Sequence, residues 1–506
     1  MRNKNIRIIR AAALVFSALL ALSALAGCAG GNATDETTLP ETGTSAPSEE
    51  QTESLYDEEG YLKDSLPEKL DFGTDINLFI WSDHTMTEFY VEENNGVGID
   101  SAIFRRNARV EDRLGISLVF TKELQDNFQA AARADYSADC VYDIYATYSR
   151  TVPLLSLEGL TADLLSTKYF DLGKPWWPEA LTGECVIGGK LFYASGDIST
   201  NLLWMMIGTF YNKTMYGSYS ADPAFSKTPE EMVKDRTWTM ERFFSMAKDI
   251  YIDSDGDNAR SAGDTYGFVI YQNNLDAFQT AAGVTAVIRT PDGGIEMNPL
   301  WTGEYTANVV KMLGEFVVSP GVSYTNKTSI RDIFYGERAL FITDRCFIVA
   351  GKDNSANKNR IEFSYGVVPQ PMAYDDQKNY STNIGHPYTM YAICSGSRKT
   401  EAASAVLEAM GSGSYRFVTP QVFENAMKIK YADGAEAAEM YDILRSTVSF
   451  DLGRLYHDTL GGTSSNLFRK SALNNPDGYL TSVKSNMARY EAGIREIIEV
   501  FGNRAG

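Results

Sequence analysis

The chain has 506 residues, with 46 Lys and Arg against 66 Asp and Glu, and its formal net charge at pH 7 is −20. A surface this acidic repels polyanions, which excludes nucleic acid and anionic lipid as its main partners. About 430 residues follow the start of the first predicted strand, more than one hydrophobic core usually holds, so two folded units are expected.

Residues 1–27 have the pattern of a lipoprotein signal peptide. Four basic residues precede the uncharged run 11–22, and small residues then lead to Cys28 in the sequence Leu-Ala-Gly-Cys. The run is shorter than the roughly 20 apolar residues that a membrane-spanning helix needs. Cleavage before Cys28 would leave a thiol for a lipid anchor on the outer face of a cell membrane. An ordinary secretory peptide with an incidental Cys28 is the alternative.

Residues 28–55 are predicted to form a disordered tether between this anchor and the folded part. They contain no Lys or Arg, almost no large apolar residue, and many Thr, Ser, Glu, Pro and Gly. Such a segment buries too little apolar surface to offset the entropy of ordering it. A flexible chain of this length has a mean reach on the order of 30 Å.

Strands and helices alternate from Asp75 onwards, as judged from apolar periodicity and the residues that end each run. The predicted elements are a strand at 76–81, a helix at 101–114 that stops at Gly115, a strand at 116–120, a helix at 127–136, a strand at 141–146, a two-residue hairpin within 186–192, and a C-terminal helix at 480–501. This alternation predicts a parallel sheet covered by helices.

Familiar catalytic and zinc motifs do not occur in the sequence. None of the three histidines has a paired-ligand spacing, and a GxSxG motif is missing. Beyond Cys28, the remaining cysteines are Cys140, Cys185, Cys346 and Cys394, without a CxxC pair. We expect four buried thiols, and two disulfides are the alternative.

An Asp-rich segment has the spacing of a calcium-binding loop. Counted from Asp253, oxygen-bearing side chains stand at positions 1, 3, 5, 9 and 12, which are Asp253, Asp255, Asp257, Ser261 and Asp264. Position 6 is Asn258 where an EF-hand has Gly, and position 12 is Asp where a bidentate Glu is usual. Asn tolerates the left-handed conformation that the turn requires. The segment therefore predicts a structural calcium site, and a solvated acidic turn is the alternative.

Aromatic residues with polar neighbours stand where strands are predicted to end. Trp81, Tyr148, the pair 176–177 and Trp204 combine flat apolar faces with nearby hydrogen-bonding groups. Sugars bind such surfaces by stacking on the rings while polar groups hold their hydroxyls. Packing in the hydrophobic core is the alternative for each tryptophan.

Short motifs follow one another in a specific order between Asp75 and the C-terminus. They are the strand ending in Trp81; Arg105-Arg106-Asn107 with Val110-Glu111; Tyr142-Asp143-Ile144-Tyr145; Lys174-Pro175-Trp176-Trp177; Gly189-Lys190-Leu191-Phe192; Phe210-Tyr211-Asn212-Lys213; Trp238-Thr239-Met240; the Asp-rich loop ending at Tyr266-Gly267; Gly336-Glu337-Arg338-Ala339-Leu340-Phe341; and Tyr365-Gly366-Val367-Val368-Pro369. In this order they resemble the family 1-like extracellular solute-binding lipoproteins of carbohydrate ABC transporters, in the form common among Gram-positive bacteria.

The resemblance implies a two-lobe α/β fold of the periplasmic-binding-protein type 2, with hinge strands between the lobes and no catalytic activity. Lobe one would hold residues 75–198 and 381–410, and lobe two would hold 199–380 and 411–506. The lobes would close over a solute, and the permease subunits in the membrane would recognise the closed form.

The resemblance also implies that ligand contacts come from loops that follow the strands. These positions are Trp81, Asp83, His84, Tyr148, Asn201, Trp204, Asp344, Arg345 and His386. The expected solute is a mono- or oligosaccharide, although relatives of this shape also carry peptides and other solutes. Two other functions stay open: a secreted lipoprotein glycoside hydrolase, which needs two acidic residues about 5 to 10 Å apart, and an adhesion or scaffold lipoprotein.

Overall fold

The structure is a computed structural model that describes residues 54–84, 86–94, 96–350 and 361–503, with 464–466 described by their backbone alone. The signal peptide, Cys28 and nearly all of the tether lie outside the described residues. Within the described residues, no helix combines the length and the apolar composition that crossing a membrane requires.

The first sheet has four strands in the order β12-β3-β1-β2. Strand β1 (Thr74–Trp81) pairs in parallel with β2 (Ile116–Glu123) on one side and with β3 (Ile144–Tyr148) on the other. Strand β12 (Thr389–Ile393) returns from the distant C-terminal part and pairs antiparallel with β3. The predicted parallel sheet is confirmed, and a late antiparallel strand completes it.

The helix Gly98–Leu114 connects β1 and β2 and covers this sheet. Its apolar stripe lies inward, because Ile103 and Leu114 are fully buried. Gly115 ends the helix in the left-handed conformation, with φ of 61°, which a residue without Cβ adopts at little cost. Both features were predicted from the sequence.

The third strand begins later than the sequence predicts. The carboxylate of Asp135, at the end of the preceding helix, accepts hydrogen bonds from the backbone N–H groups of Val141 and Tyr142. These two N–H groups are therefore unavailable to a neighbouring strand. Pairing with β1 begins only at Ile144.

The second sheet has six strands in the order β11-β4-β10-β6-β5, with β9 also paired to β6. Their bounds are β4 Ile207–Asn212, β5 Tyr251–Ile252, β6 Thr265–Tyr271, β9 Val322–Thr325, β10 Ala339–Arg345 and β11 Tyr365–Val368. Strand β6 is parallel to β9 and β10, whereas β4 is antiparallel to both of its neighbours. A separate hairpin joins β7 (Val287–Arg289) to β8 (Ile295–Met297). Two sheets, each with its own helices, give the predicted two-lobe α/β fold.

The helices vary widely in length. In chain order the α-helices of four or more residues are Gly98–Leu114, Gln125–Ser137, Thr151–Leu157, Thr200–Trp204, Lys213–Ser218, Pro229–Lys234, Met240–Ala247, Asp276–Ala281, Glu304–Val317, Lys327–Tyr335, Thr400–Gly413, Ala435–Ser446, Leu452–Leu455, Lys470–Asn474 and Tyr479–Asn503. Within the described residues, four stretches have the wider π-helical turn, and these are Glu179–Gly183, Ser414–Val418, Gln421–Tyr431 and Thr463–Arg469. The predicted C-terminal helix is confirmed, and it buries Val483, Ile497 and Phe501.

The segments after residue 410 pack against both sheets' helical layers. Ser414–Val418 contacts the helix Gly98–Leu114 of the first sheet, whereas Ala435–Ser446 contacts β11 of the second. The helix Tyr479–Asn503 contacts Glu304–Val317, which lies on the side of the second sheet.

Two extended segments run side by side where the chain passes from one sheet to the other. Met206 and Ile384 form an antiparallel bridge. Ile207 donates its N–H to the carbonyl of Asn383 at 2.9 Å, and Gly385 donates to the carbonyl of Met205 at 2.8 Å. These paired segments are the hinge strands of the two-lobe fold, and they place residues 384–388 between the lobes.

Candidate ligand-binding cleft

Strand ends from both sheets meet beside the hinge. Tyr148 ends β3 in the first sheet, and Arg345 ends β10 in the second. His386 follows the hinge strand, and its ring centroid lies 6.4 Å from that of Tyr148. Its carbonyl accepts a 2.7 Å hydrogen bond from the hydroxyl of Ser149. The Arg345 side chain packs against Gly385, where an added Cβ would come within 2.5 Å of its Nε. Three of the predicted ligand-binding residues are therefore neighbours in space.

Trp81 and His84 adjoin this group from the end of β1. The ring of Trp81 lies 5.9 Å from that of Tyr148 and 6.0 Å from that of His84. Trp81 is only 1% exposed, and its Nε1 donates to the hydroxyl of Thr389 at 2.8 Å. It forms the wall behind Tyr148, while His84 and Tyr148 are half-buried.

Asn201 belongs to a buried polar network that includes an acid the sequence analysis missed. Its side-chain amide donates to Glu88 at 2.5 Å, and its carbonyl oxygen accepts from the N–H of Met86 at 3.1 Å. Thr389 and Tyr391 also donate to Glu88. Burial raises the pKa of Glu88, although these hydrogen bonds oppose the shift. Glu88 stands in a loop without a motif, so no local signal pointed to it.

Three of the other predicted ligand-binding residues are placed differently. Trp204 is 1% exposed, and its ring packs 6.2 Å from that of Tyr431, within the protein interior. Asp344 is equally buried and pairs with Arg331 at 2.6 Å. Burial by itself would raise the pKa of Asp344, but the charge and hydrogen bonds of Arg331 outweigh it and lower the pKa. Asp83 is exposed and accepts from the N–H of Gln125. A solute could reach Trp204 or Asp344 only if neighbouring residues moved.

Two further arginines border Tyr148 and His386, and sequence reasoning did not select either. Arg454 donates from one guanidinium nitrogen to the side chain of Asn383 and to the carbonyl of Ile384, and its second nitrogen lies 3.3 Å from Nε2 of His386. Arg150 binds both carboxylate oxygens of Asp458 at 2.7 Å. These residues lie hundreds of positions apart in the chain, so no sequence spacing links them.

His386 is held in its neutral form. Burial, together with the positive charges of Arg454 and Arg150, lowers its pKa well below the ordinary value. Because a guanidinium can only donate, the Nε2 atom that faces Arg454 acts as the acceptor. The proton of the neutral ring therefore resides on Nδ1.

The predicted calcium loop connects β5 and β6 at the edge of the second sheet. Ligand oxygens of Asp253, Asp255 and Asp257 lie within 4.8 Å of one another, and Ser261 donates to Asp255 at 3.2 Å. Asn258 has φ of 59°, the left-handed conformation expected at position 6.

Asp264 is turned away from these three aspartates. Its carboxylate accepts hydrogen bonds from the N–H groups of Ser254 and Ser261 and from the hydroxyl of Tyr251. The bond from Ser261 contributes most to lowering its pKa. Three carboxylates are thus close enough to share a metal ion, whereas the predicted ligand at position 12 is hydrogen-bonded by the chain itself.

All four cysteines of the described region are thiols. The sulfur atoms of Cys140 and Cys394 lie 3.3 Å apart, at the end of the first sheet. Cys185 and Cys346 are buried separately, and burial raises the pKa of both thiols.

Comparison with known proteins places this geometry in a known fold. No family model and no curated protein matches the chain. An ABC substrate-binding protein from Listeria monocytogenes in complex with cycloalternan is similar, with a TM-score of 0.51 and 14% identity over 83% of this chain and 99% of that one. A family 1 extracellular solute-binding protein from Bifidobacterium longum subsp. infantis is similar with a TM-score of 0.52 and 13% identity, and the match covers 82% of this chain and 98% of that one. UgpB from Mycobacterium tuberculosis in complex with glycerophosphocholine is similar with a TM-score of 0.51 and 15% identity, and the match covers 82% of this chain and 98% of that one. At such low identity the likeness shows the fold, which is that of a solute-binding protein.

Proposed function

We propose that the chain is the solute-binding component of an ABC importer, which captures a saccharide between its lobes and delivers it to the permease. The observation that carries the proposal is the meeting of Tyr148 from the first sheet, Arg345 from the second, and His386 from the hinge. A site formed by two lobes and a hinge suits a ligand whose binding closes the lobes.

The binding mechanism follows from how a solute changes the balance between open and closed lobes. A protein whose two arrangements differ by a few kcal/mol shifts toward the one that the ligand contacts better. A solute that touches Tyr148 and Arg345 contacts both lobes only when they are closed. The ring of Tyr148 supplies a stacking surface, and the guanidinium of Arg345 supplies hydrogen-bond donors.

The saccharide class draws support from one of the similar structures. The Listeria protein is a substrate-binding protein with bound cycloalternan, a carbohydrate ligand in the same fold. The Mycobacterium protein of this fold holds glycerophosphocholine, so the fold accommodates other solutes as well.

The proposed location is the outer face of a cell membrane, with Cys28 lipidated. The support for this lies in the basic, apolar and small-residue pattern of residues 1–27. The tether of residues 28–55 would let the lobes move on the order of 30 Å from the anchor while they search for the permease.

Hydrolysis has less support, because two buried carboxylates beside the hinge have cationic partners, while Glu88 and Asp451 accept hydrogen bonds from neutral groups. Asp344 pairs with Arg331, and Asp276 pairs with Arg469 at 2.7 Å. A glycoside hydrolase needs one carboxyl group that can donate a proton and a second that is free to act as base or nucleophile. Release of a chromophore from nitrophenyl glycosides would favour the enzyme over the carrier.

The proposed function is tested by a thermal-shift screen of the purified protein against mono- and oligosaccharides, followed by calorimetry. A bound solute at one hundred times its dissociation constant should stabilise the protein by about 2.7 kcal/mol and raise its melting temperature measurably. The control variant is Arg133→Gln, which removes a solvent-accessible ion pair with Glu158 that is not part of the proposed site. A screen in which no saccharide shifts the melting curve contradicts the proposal.

A further inference from the structure

The guanidinium of Arg345 has no protein partner among the residues that the structure describes. Its backbone N–H donates to Asp344, but within residues 54–84, 86–94, 96–350 and 361–503 its side chain makes no hydrogen bond and no ion pair. Its Nε is shielded from solvent by Gly385 and is unsatisfied. Burial raises the pKa of Tyr148, and the charge of the nearby Arg345 opposes that shift.

Arg454, whose charge also acts on Tyr148 and His386, has no carboxylate at salt-bridge distance in the described part of the chain. It is 8% exposed and leaves its Nε without a partner. Its other nitrogens contact only neutral groups, which are Asn383, the carbonyl of Ile384 and His386. The nearby Asp451 uses its carboxylate oxygens to accept backbone N–H groups. The charge of Arg454 is therefore not neutralised by a direct contact.

Arg331, Arg469 and Arg106 are satisfied by other protein groups, whereas Arg338 shares with Arg345 a shielded Nε that has no partner among the described residues. Arg331 and Arg469 are paired with Asp344 and Asp276. Arg106, which has no carboxylate contact, has all of its guanidinium nitrogens bonded to oxygen acceptors. Burying a cation without a counter-ion costs desolvation free energy that neutral neighbours repay only in part. Two arginines of this kind close together lower the stability of the folded protein unless a ligand supplies the negative charge.

Only part of this local positive charge is offset, because Asp344 acts on Arg345 but already pairs with Arg331. His386 is neutral, and Tyr148 keeps its proton because burial raises its pKa despite the nearby arginines. Arg150 brings a third guanidinium, which Asp458 already pairs. The chain as a whole is strongly acidic, so a positive cluster at the cleft is a local exception.

We propose that the captured solute carries a negatively charged group, a carboxylate, sulfate or phosphate ester on a saccharide, which binds Arg345 and Arg454. The proposal rests on the proposed function and specifies its ligand. A guanidinium presents its donors in a planar fork that matches two oxygens of such an anion, so the pair can bind it with charge-assisted hydrogen bonds. Tyr148 then lies where the sugar ring adjoins the acidic group.

The test compares neutral sugars with their acidic counterparts on the purified protein. The probes are glucose, glucuronic acid, glucose 6-sulfate and glucose 6-phosphate, the same four forms of galactose, and neutral and uronic-acid oligosaccharides of each. We expect acidic members to raise the melting temperature and to give calorimetric binding, while their neutral counterparts bind much more weakly. The preferred acid identifies the group as carboxylate, sulfate or phosphate. Because the contact is electrostatic, its affinity should fall as salt is added.

Variants of Arg345 test whether its guanidinium holds the acidic group. Arg345→Gln should lower the affinity for the preferred acid by about 30-fold or more, as expected when one partner of a buried charge pair is removed. Arg345→Lys keeps the charge without the fork and should recover part of the affinity. Arg133→Gln should bind as the unaltered protein does. Circular dichroism and melting of each apo variant establish that it folds.

The outcomes separate this inference from the proposed function. If neutral saccharides bind and acidic ones do not bind more tightly, the inference is wrong and the carrier function stands. If an acid binds but Arg345→Gln, folded, binds it with unchanged affinity, the assignment to Arg345 is wrong. If no saccharide of either kind binds, the proposed function fails together with the inference.

Discussion

Glu408 offers a sharp test of how burial controls charge in this fold. It lies in the helix Thr400–Gly413 and is fully buried, and one of its oxygens accepts from the indole N–H of Trp177 at 2.9 Å and from the N–H of Asp171 at 3.3 Å. The other oxygen is buried without a partner. Burial is the largest cause of a pKa raised to about 7, and the bond from Trp177 opposes it.

The raised pKa makes the folded protein less stable as the pH increases. Below the unfolded pKa of Glu408 both states carry the proton, and its contribution to stability is complete. As the pH rises toward the folded pKa, the unfolded chain has already released the proton that the folded chain retains. Integrated from about pH 5 to about pH 8, the loss for this single group is about 2 kcal/mol.

Glu408→Gln removes the titration while retaining an oxygen that can accept from Trp177. We expect the variant to gain stability relative to the unaltered protein as the pH rises from about 5 to about 8, by the same amount of about 2 kcal/mol. Urea unfolding followed by tryptophan fluorescence at several pH values measures this difference, and Glu401→Gln, in an exposed pair with Lys168, serves as the control. Parallel stability–pH curves for Glu408→Gln and the unaltered protein would refute the reasoning.

Further predictions concern the aromatic residues, the Asp-rich loop and the anchor. Trp204→Ala should destabilise the apo protein by about 3 to 5 kcal/mol in urea unfolding, because it empties a buried site, whereas Tyr148→Ala should chiefly weaken solute binding in calorimetry. The reverse pattern would place Trp204 in the binding site. Millimolar calcium should raise the melting temperature by at least a degree or two, and Asp255→Asn with Asp257→Asn should abolish the rise. Identical melting curves in chelator and in calcium would mean that the Asp-rich loop is a solvated turn. Cys28→Ala should move the protein from membranes to the medium in cell fractionation, and its retention on membranes would contradict the lipobox.

Several local features were predictable because their signals lie within a few residues. The helix that ends at Gly115 was predicted from its apolar spacing and its terminal glycine. The two-residue hairpin is confirmed by the bridge between Ile187 and Lys190, with both central glycines at positive φ. The left-handed conformation of Asn258 followed from the loop spacing in the same way. The two-lobe fold was implied by the family resemblance that the order of the short motifs carries.

The candidate site was only partly predictable. Tyr148, Arg345 and His386 were selected because they stand near strand ends, and the structure brings them together. Trp204 and Asp344 have the same kind of local context, yet they are buried in the interior. Position beside a strand does not reveal how deeply the neighbouring helices cover a residue.

The sequence by itself determined the local elements, the acidic overall charge and the spacing of the Asp-rich loop. Only the tertiary structure decided that all six tryptophans are buried and which arginines lack a carboxylate partner among the described residues. Helix ends and turns depend on backbone angles and periodicity within a few residues, so the sequence encodes them directly. Burial and charge pairing depend instead on contacts between residues as far apart as Arg150 and Asp458. Such contacts exist only after the two sheets and the hinge have assembled, which is why Arg454 gave no signal before the fold was known.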